Sequence, residues 1–351
     1  LPFSFHFRKL KRAYLFSECA LISQDFEVFI PNFSELYFVQ IPSFIPIIRD
    51  RNLRVGQDAN MTKVKKQHFV PQFYLKNFTD SKHRIYAFDI IDGASFSTSI
   101  ENIAHQKYFY DNAPLDQFIG VEQAVEKALA GSESKAAEVL RKLRAGLEAN
   151  DLNSFTKSDY RELADHILTQ HKRTPKHRIL ITQLIEKEKQ LKAKGVSDEV
   201  IKELAIEAEK YDPQFQQIYE LTNSQVLNDI ESLCNQYWVF WSNKTQHNFY
   251  SSDHPVVGHF DTDERFEIYF PITPKFSVSI FVKDHFPHFA FRHQKINELR
   301  DPELVKFYNK VMLMNCSRQV YSAENDFRLA MKIVKETPSL RDPNRKRIAN
   351  L

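Results

Sequence analysis

The 351 residues are 42% hydrophobic and 26% charged, enough apolar material to bury a core. A net charge of +3 is too small to argue for nucleic acid by itself, so only a local basic patch would serve that purpose. Cys19, Cys234 and Cys316 contain no C-x-x-C, which argues against a disulfide framework or a cysteine zinc site and suits a reducing cytoplasm.

The seven glycines form no G-x-G-x-x-G and no G-x-x-x-x-G-K-[ST], and G-x-S-x-G is missing as well. Close approach of backbone to a phosphate needs such glycines, so no nucleotide cofactor of the Rossmann or Walker type is expected, and a nucleophile elbow is excluded.

The chain opens with Leu1, and its first methionine is Met61. Residues 1–60 are Phe-rich, lack helical or strand periodicity and are broken by Pro42 and Pro46. They resemble neither a membrane span nor a signal peptide. The expectation is that they are upstream sequence read in frame before a start at Met61. The competing reading is an accessory segment that covers an apolar surface. Residues 61–351 are expected to form a single α+β domain.

Within it, "KHRIYAFDIIDGASFSTSIENI" (82–103) predicts a hairpin turning at Asp92-Gly93. A helix is expected from about Gly120 through Leu143. Thr156 and Asp159 form a capping box before an amphipathic helix that buries Leu163, Ile167 and Leu168 and is broken near Pro175. A segment from Ser197 to about Lys210 follows, and Asp212-Pro213 then starts another helix with Phe215, Ile218, Val226, Ile230 and Leu233 buried. From Tyr237 the aromatic and β-branched runs "YWVFWSN", "NFYSSDHPVVGHF", "RFEIYFPIT" and "FSVSIFV" predict an antiparallel β-meander. "DPELVKFYNKVMLMNCS" is read as a final helix and "RQVYSA" as a last strand. An N-terminal hairpin, a central helical bundle and a C-terminal meander make the fold class α+β.

Three stretches carry candidate chemistry. In "QHFVPQFY", His68, Gln72 and Tyr74 share parity in an extended chain and would project to one face. His68 is a candidate general acid, base or ligand; the structural alternative is a polar plug that satisfies buried backbone. His166, Gln170, Arg173 and His177 fall at i, i+4, i+7 and i+11, one stripe if the helix continues. Arg173 beside a core face needs an anion, either the phosphate or carboxylate of a ligand or an internal acid, with Asp253 the candidate. In "SSDHPVV", Asp253 suits a metal ligand, a general base or an arginine partner, and equally a turn closed on nearby backbone. His254 and His259 lack zinc-ligand spacing, and no zinc is expected. The aromatics of 237–250 have the residue types to stack bases, but a core stripe is preferred.

The segments "QHFVPQFYLKNF", "ENIAHQKYFYD", "QHKRTPKHR", "SSDHPVV", "FPITPKFSVSIF" and "NCSRQVYSA", in this order, resemble a bacterial family known as domain of unknown function 4238. The resemblance covers 65–323, supports a start at Met61 and brings no activity with it. The family commonly has Asn where this chain has His254.

The expected function is hydrolysis of a phosphate-containing substrate, as by a nuclease. Arg173 would hold the phosphate, Asp253 would bind Mg²⁺ or Mn²⁺ with Glu122 as second carboxylate, and His68 would act as acid or base. Gln72, Tyr74, Gln170 and Ser252 would bind substrate. The alternative is a non-catalytic module that senses a nucleotide or nucleic acid. A cytoplasmic setting with no membrane partner is expected in both cases.

Overall fold

A computed structural model describes residues 63–197, 201, 212–223, 225–260 and 265–347. The expectations for residues 1–60, and for the segment restarting after Ser197 up to Lys210 save Ile201, lie outside the described residues. The chain groups into two compact units.

The first unit takes Lys63, Val64, Tyr110–Ser132 and described residues of Arg178–Asp229, and it is helical. Helix α2, Ala113–Ile119, starts at Asn112, whose side chain accepts from Leu115 N–H, and ends at Gly120 with φ +73°. That left-handed turn is open to glycine at little cost. Asp116 then accepts from the N–H groups of Gln123 and Ala124 at 2.9 and 3.0 Å, satisfying the start of α3, Ala124–Ala149. Helix α5 is Pro175–Ala193, α6 Pro213–Thr222 and α7 Gln225–Cys234. Asp212 caps α6 through Gln214 and Phe215 N–H, with Pro213 at the first helical position.

The second unit holds Lys65–Phe109, Glu133–His177 and the chain from Ile230 onward. Its first sheet has the order β10-β5-β9-β8-β7, from β5 (Tyr237–Asn243), β7 (Val257–Phe260), β8 (Phe266–Thr273), β9 (Phe276–Phe281) and β10 (Lys295–Leu299). Every residue of β8 is buried, which is why "FEIYFPIT" does not alternate. The second sheet has the order β3-β2-β11-β6, from β2 (Ile85–Asp89), β3 (Ala94–Thr98), β6 (Ser251–Ser252) and β11 (Gln319–Ser322). The 82–103 hairpin forms as expected, with Ile85 opposite Thr98 and Asp89 opposite Ala94.

The meander needs revision. β7, β8 and β9 run up and down, but β5 pairs with β9, and β10 lies parallel to β5. Ser251 and Ser252 leave that sheet to pair with β11 in the other. The "final helix" α8, Pro302–Asn315, is capped by Asp301 as expected, but a further helix α9, Arg328–Glu336, follows β11. Val305, Tyr308, Met312 and Leu313 of α8 and Ala330, Ile333 and Val334 of α9 share one core with Trp241, Phe249, Tyr269 and Val320. Each such buried large side chain is worth about 1.5–3 kcal/mol. The architecture is α+β.

Helix α4, Lys157–Lys172, carries the capping box: Thr156 Oγ1 accepts from Asp159 N–H while Asp159 accepts from Thr156 N–H. A two-stranded ribbon completes the unit, β1 (Lys66–His68) antiparallel to β4 (His105–Lys107), with the short helix α1, Gln72–Leu75, following β1.

Candidate functional site: a histidine and lysine ribbon backed by Arg173

The ribbon register sets the site. Lys66 stands opposite Lys107, Gln67 opposite Gln106, and His68 opposite His105. Directly opposite residues share a face, and faces alternate along a strand, so Lys66, His68, His105 and Lys107 lie on one face, which carries no acid. Like charges placed opposite one another are unfavourable. Lys66 Nζ also donates to Asn102 Oδ1 at 3.1 Å, and the His68 and His105 rings meet edge-on with centroids 5.2 Å apart. Burial, then the neighbouring His105, push the His68 pKa down to about 4; Arg173 and Lys66 add to this, and a hydrogen bond to the Ile100 backbone opposes it. Burial, then Lys66, lower His105 too. Its Nδ1 has no hydrogen-bond partner among the described residues.

Behind this face lies the end of α4. His166, Gln170, Arg173 and His177 are all buried, as their spacing predicts, although α4 ends at Lys172 and α5 restarts at Pro175. Gln170 Nε2 donates to Phe69 O at 2.9 Å. Arg173 Nη2 donates to His68 O at 2.6 Å, and Nη1 donates to Glu133 Oε1 at 2.7 Å. His166 packs against the Phe73 and Phe270 rings, and burial followed by Arg173 takes its pKa down to about 3.

The expected Arg173–Asp253 pair does not form. Asp253 Oδ1 accepts from Ser317 N–H at 2.7 Å, and Oδ2 accepts from Arg318 and Gln319 N–H at 2.6 and 2.9 Å. The carboxylate thus closes the turn between α8 and β11, and burial raises its pKa against the pull of these three donors. Ser252 Oγ accepts from His254 N–H at 3.0 Å and lies 3.0 Å from Met312 Sδ.

The extended parity of 68, 72 and 74 also fails, because the chain turns into α1 at Gln72. Gln72 stays exposed beside His68, with Nε2 to Nε2 at 3.5 Å. Tyr74 is buried; its hydroxyl donates to Pro271 O at 2.8 Å and lies 2.9 Å from Ser251 Oγ. Glu122 belongs to the other unit, where it pairs with Lys63 at 2.6 Å.

A second buried group surrounds the α4–α5 junction. Thr174 Oγ1 lies 2.7 Å from His254 Nδ1, and the His171 ring sits 5.0 Å from that of His254 and 5.7 Å from that of His177. His171 Nδ1 faces Val256 O at 3.3 Å, which places the ring proton there. Burial, then His177, bring the His171 pKa to about 3. Lys176 donates to Asn315 Oδ1 at 2.7 Å, and Arg345 and Arg347 both donate to Cys316 O at the end of α8. Cations there complement the negative end of the helix dipole, a structural arrangement.

His68, Gln72, Gln170 and Arg173 are therefore brought together, whereas Tyr74, Ser252 and Asp253 serve packing and turn closure. Sequence reasoning missed His105 and Glu133. The first was within reach, standing in "ENIAHQKYFYD" two residues before a lysine; the second has no local signal. Among the described residues no group of three or more histidine, cysteine, aspartate or glutamate side chains is placed to hold a metal ion. Among them, too, no helix is long and apolar enough to cross a membrane.

No curated protein and no solved structure matches the chain. The model of the family described as protein of unknown function (DUF4238) matches residues 66–326, most of the chain, and the chain belongs to that family.

Proposed function

We propose that this protein hydrolyses a phosphate-containing substrate, a phosphodiester, on the His68/His105 face of the ribbon. The observation that carries the reading is that face itself: two lysines and two histidines in register, with no acid among them. Lysines supply point charges for phosphate oxygens, and paired imidazoles supply a base and an acid.

As they stand, both rings are held neutral by burial and by neighbouring cations. A phosphate anion about 4–5 Å away is worth roughly 3 kcal/mol at an effective dielectric near 20, or about two pKa units. Binding would thus return the more exposed His105 toward the range of a general acid, while deeper His68 stays the base. Water attacks phosphorus as His68 takes its proton. The bond to the leaving oxygen breaks as that oxygen takes a proton from His105, and exchange with solvent resets both rings. Arg173, engaged with Glu133, positions His68 through its carbonyl rather than touching the phosphate. Gln72 orients the His68 ring. In this reading Mg²⁺ or Mn²⁺ enters only as a counter-ion carried by the substrate. The free thiols of Cys234 and Cys316 suit a cytoplasmic setting.

The test incubates the full chain with end-labelled RNA and DNA in EDTA, Mg²⁺ or Mn²⁺, beside His68→Asn and His105→Asn. Cleavage that survives EDTA and drops roughly 10²–10⁴-fold in either variant, with an unchanged melting temperature, is the expected result. Cleavage lost with Asp253→Ala but kept in His68→Asn would overturn it. Tight binding with no cleavage at all would favour the sensing module instead.

A further inference from the structure

We infer that the substrate is a single-stranded nucleic acid, with Tyr108 as the platform on which an unpaired base stacks. This rests on the phosphate reading of the ribbon and names the class of phosphodiester that fits it. Tyr108 follows Lys107 directly, is 43% exposed, and stands just past the end of the ribbon with its N–H on Lys65 O at 3.1 Å. Its backbone is left-handed, φ +53°, a conformation disfavoured for a large aromatic residue. Ala104, at the other end of β4, has φ +53° as well. The three-residue strand is therefore held between two left-handed joints, one of which is an exposed tyrosine that follows Lys107 in sequence and bonds Lys65 through its backbone N–H.

A core role does not explain that ring, since Tyr108 is not buried, nor does continuation of the strand, since the left-handed joint ends it. An aromatic side chain beside cations is what single-stranded nucleic acid recognises: phosphates on the cations, an unstacked base on the ring. The Lys66/Lys107 and His68/His105 pairs stand two residues apart, about 7 Å along the ribbon, so neighbouring phosphates are served by different pairs. The segments 63–70 and 104–108 contain five cationic or imidazole side chains besides Lys63 and no acid, so the charge along the ribbon is of one sign. A duplex offers its backbone to the lysines but keeps its bases paired, out of reach of a single tyrosine.

The experiment measures fluorescence anisotropy of a labelled 12-nucleotide single strand, the matching duplex and a mononucleotide on full-length His105→Asn protein, which keeps the strand uncut. The single strand should bind at least tenfold tighter than the duplex. Tyr108→Ala should weaken single-strand binding roughly tenfold or more while Tyr108→Phe retains it, and duplex binding should not change. Tyr108→Gly, which relieves the left-handed backbone, should behave like Tyr108→Ala and so separates stacking from strain. Lys66→Ala and Lys107→Ala should weaken every ligand and flatten the salt dependence. Equal affinity for single strand and duplex, or no effect of Tyr108→Ala while the lysine variants lose binding, overturns the single-strand assignment and leaves the phosphate reading standing. If the lysine variants also bind as before, the phosphate reading itself falls.

Discussion

Arg173 reaches across more than a hundred residues to hold the carbonyl oxygen of His68 at 2.6 Å, while its other terminal nitrogen holds Glu133 at 2.7 Å. A guanidinium so buried is fully committed to fixing where β1 ends. Replacing it removes two charge-assisted hydrogen bonds and leaves Glu133 without this partner. Arg173→Ala is expected to cost about 3 kcal/mol in urea unfolding. Arg173→Lys keeps the charge but cannot fork between the two acceptors, and should recover less than half of that loss. A variant of unchanged stability but abolished ligand binding would instead return Arg173 to direct phosphate contact.

Asp253 gives the sharpest contrast with a metal-ligand role. Its two oxygens take three backbone N–H groups of the turn after α8. Asp253→Asn retains one acceptor oxygen and brings an NH₂ group against N–H donors. We expect a loss of about 2–3 kcal/mol of stability, with nucleic-acid binding per folded molecule preserved. Loss of metal-dependent activity at full stability is the result that would contradict this.

Tyr74 makes a similar case with a milder change. Tyr74→Phe strips the hydroxyl from Pro271 O and Ser251 Oγ inside a packed cluster that includes the stacked Phe270 ring. Thermal unfolding should report a loss of about 1–2 kcal/mol, and the KM of the proposed oligonucleotide cleavage should not move. A raised KM at unchanged stability would make Tyr74 a substrate contact after all.

These outcomes trace to what the chain writes locally and what it does not. The capping box at Thr156 and Asp159, the Asp-Pro starts at 212–213 and 301–302 and the hairpin at 82–103 are short-range signals, and each formed. Strand partnership is not short-range. Nothing in "SS" at 251–252 announces pairing with Val320 and Tyr321, and nothing in "KINEL" announces a parallel neighbour in β5. The buried stripe His166–Gln170–Arg173–His177 was legible from spacing. Its backbone partners Phe69 O and His68 O were not, nor were the N–H groups of 317–319 that Asp253 accepts from, because main-chain atoms are common to every residue type. The parity of His68, Gln72 and Tyr74 misled for a related reason: Pro71 sits as the N-cap of α1, and the chain turns there into a helix.

The last expectation concerns pH. His68 is held at about 4, and His166 and His171 at about 3, each chiefly by burial, and His254 is lowered in the same direction. In the unfolded chain these rings titrate near 6.5. Between that value and about 3–4 the unfolded state therefore holds more protons than the folded one. The stabilising contribution is complete above 6.5 and is lost as pH falls toward the folded values. Each ring adds up to about 1.4 kcal/mol per pH unit to the slope. Urea midpoints at pH 7.5, 6 and 5 should fall steeply across this series, and His171→Asn or His166→Gln should flatten the slope even where it lowers stability throughout. On the proposed phosphodiester reading, a phosphate bound at the ribbon would work the other way, chiefly on the more exposed His105. Titration calorimetry of an oligonucleotide at pH 6 in two buffers of different ionisation heat should therefore show net proton uptake, diminished in His105→Asn. Binding with no proton uptake would mean that the anion sits away from the ribbon histidines.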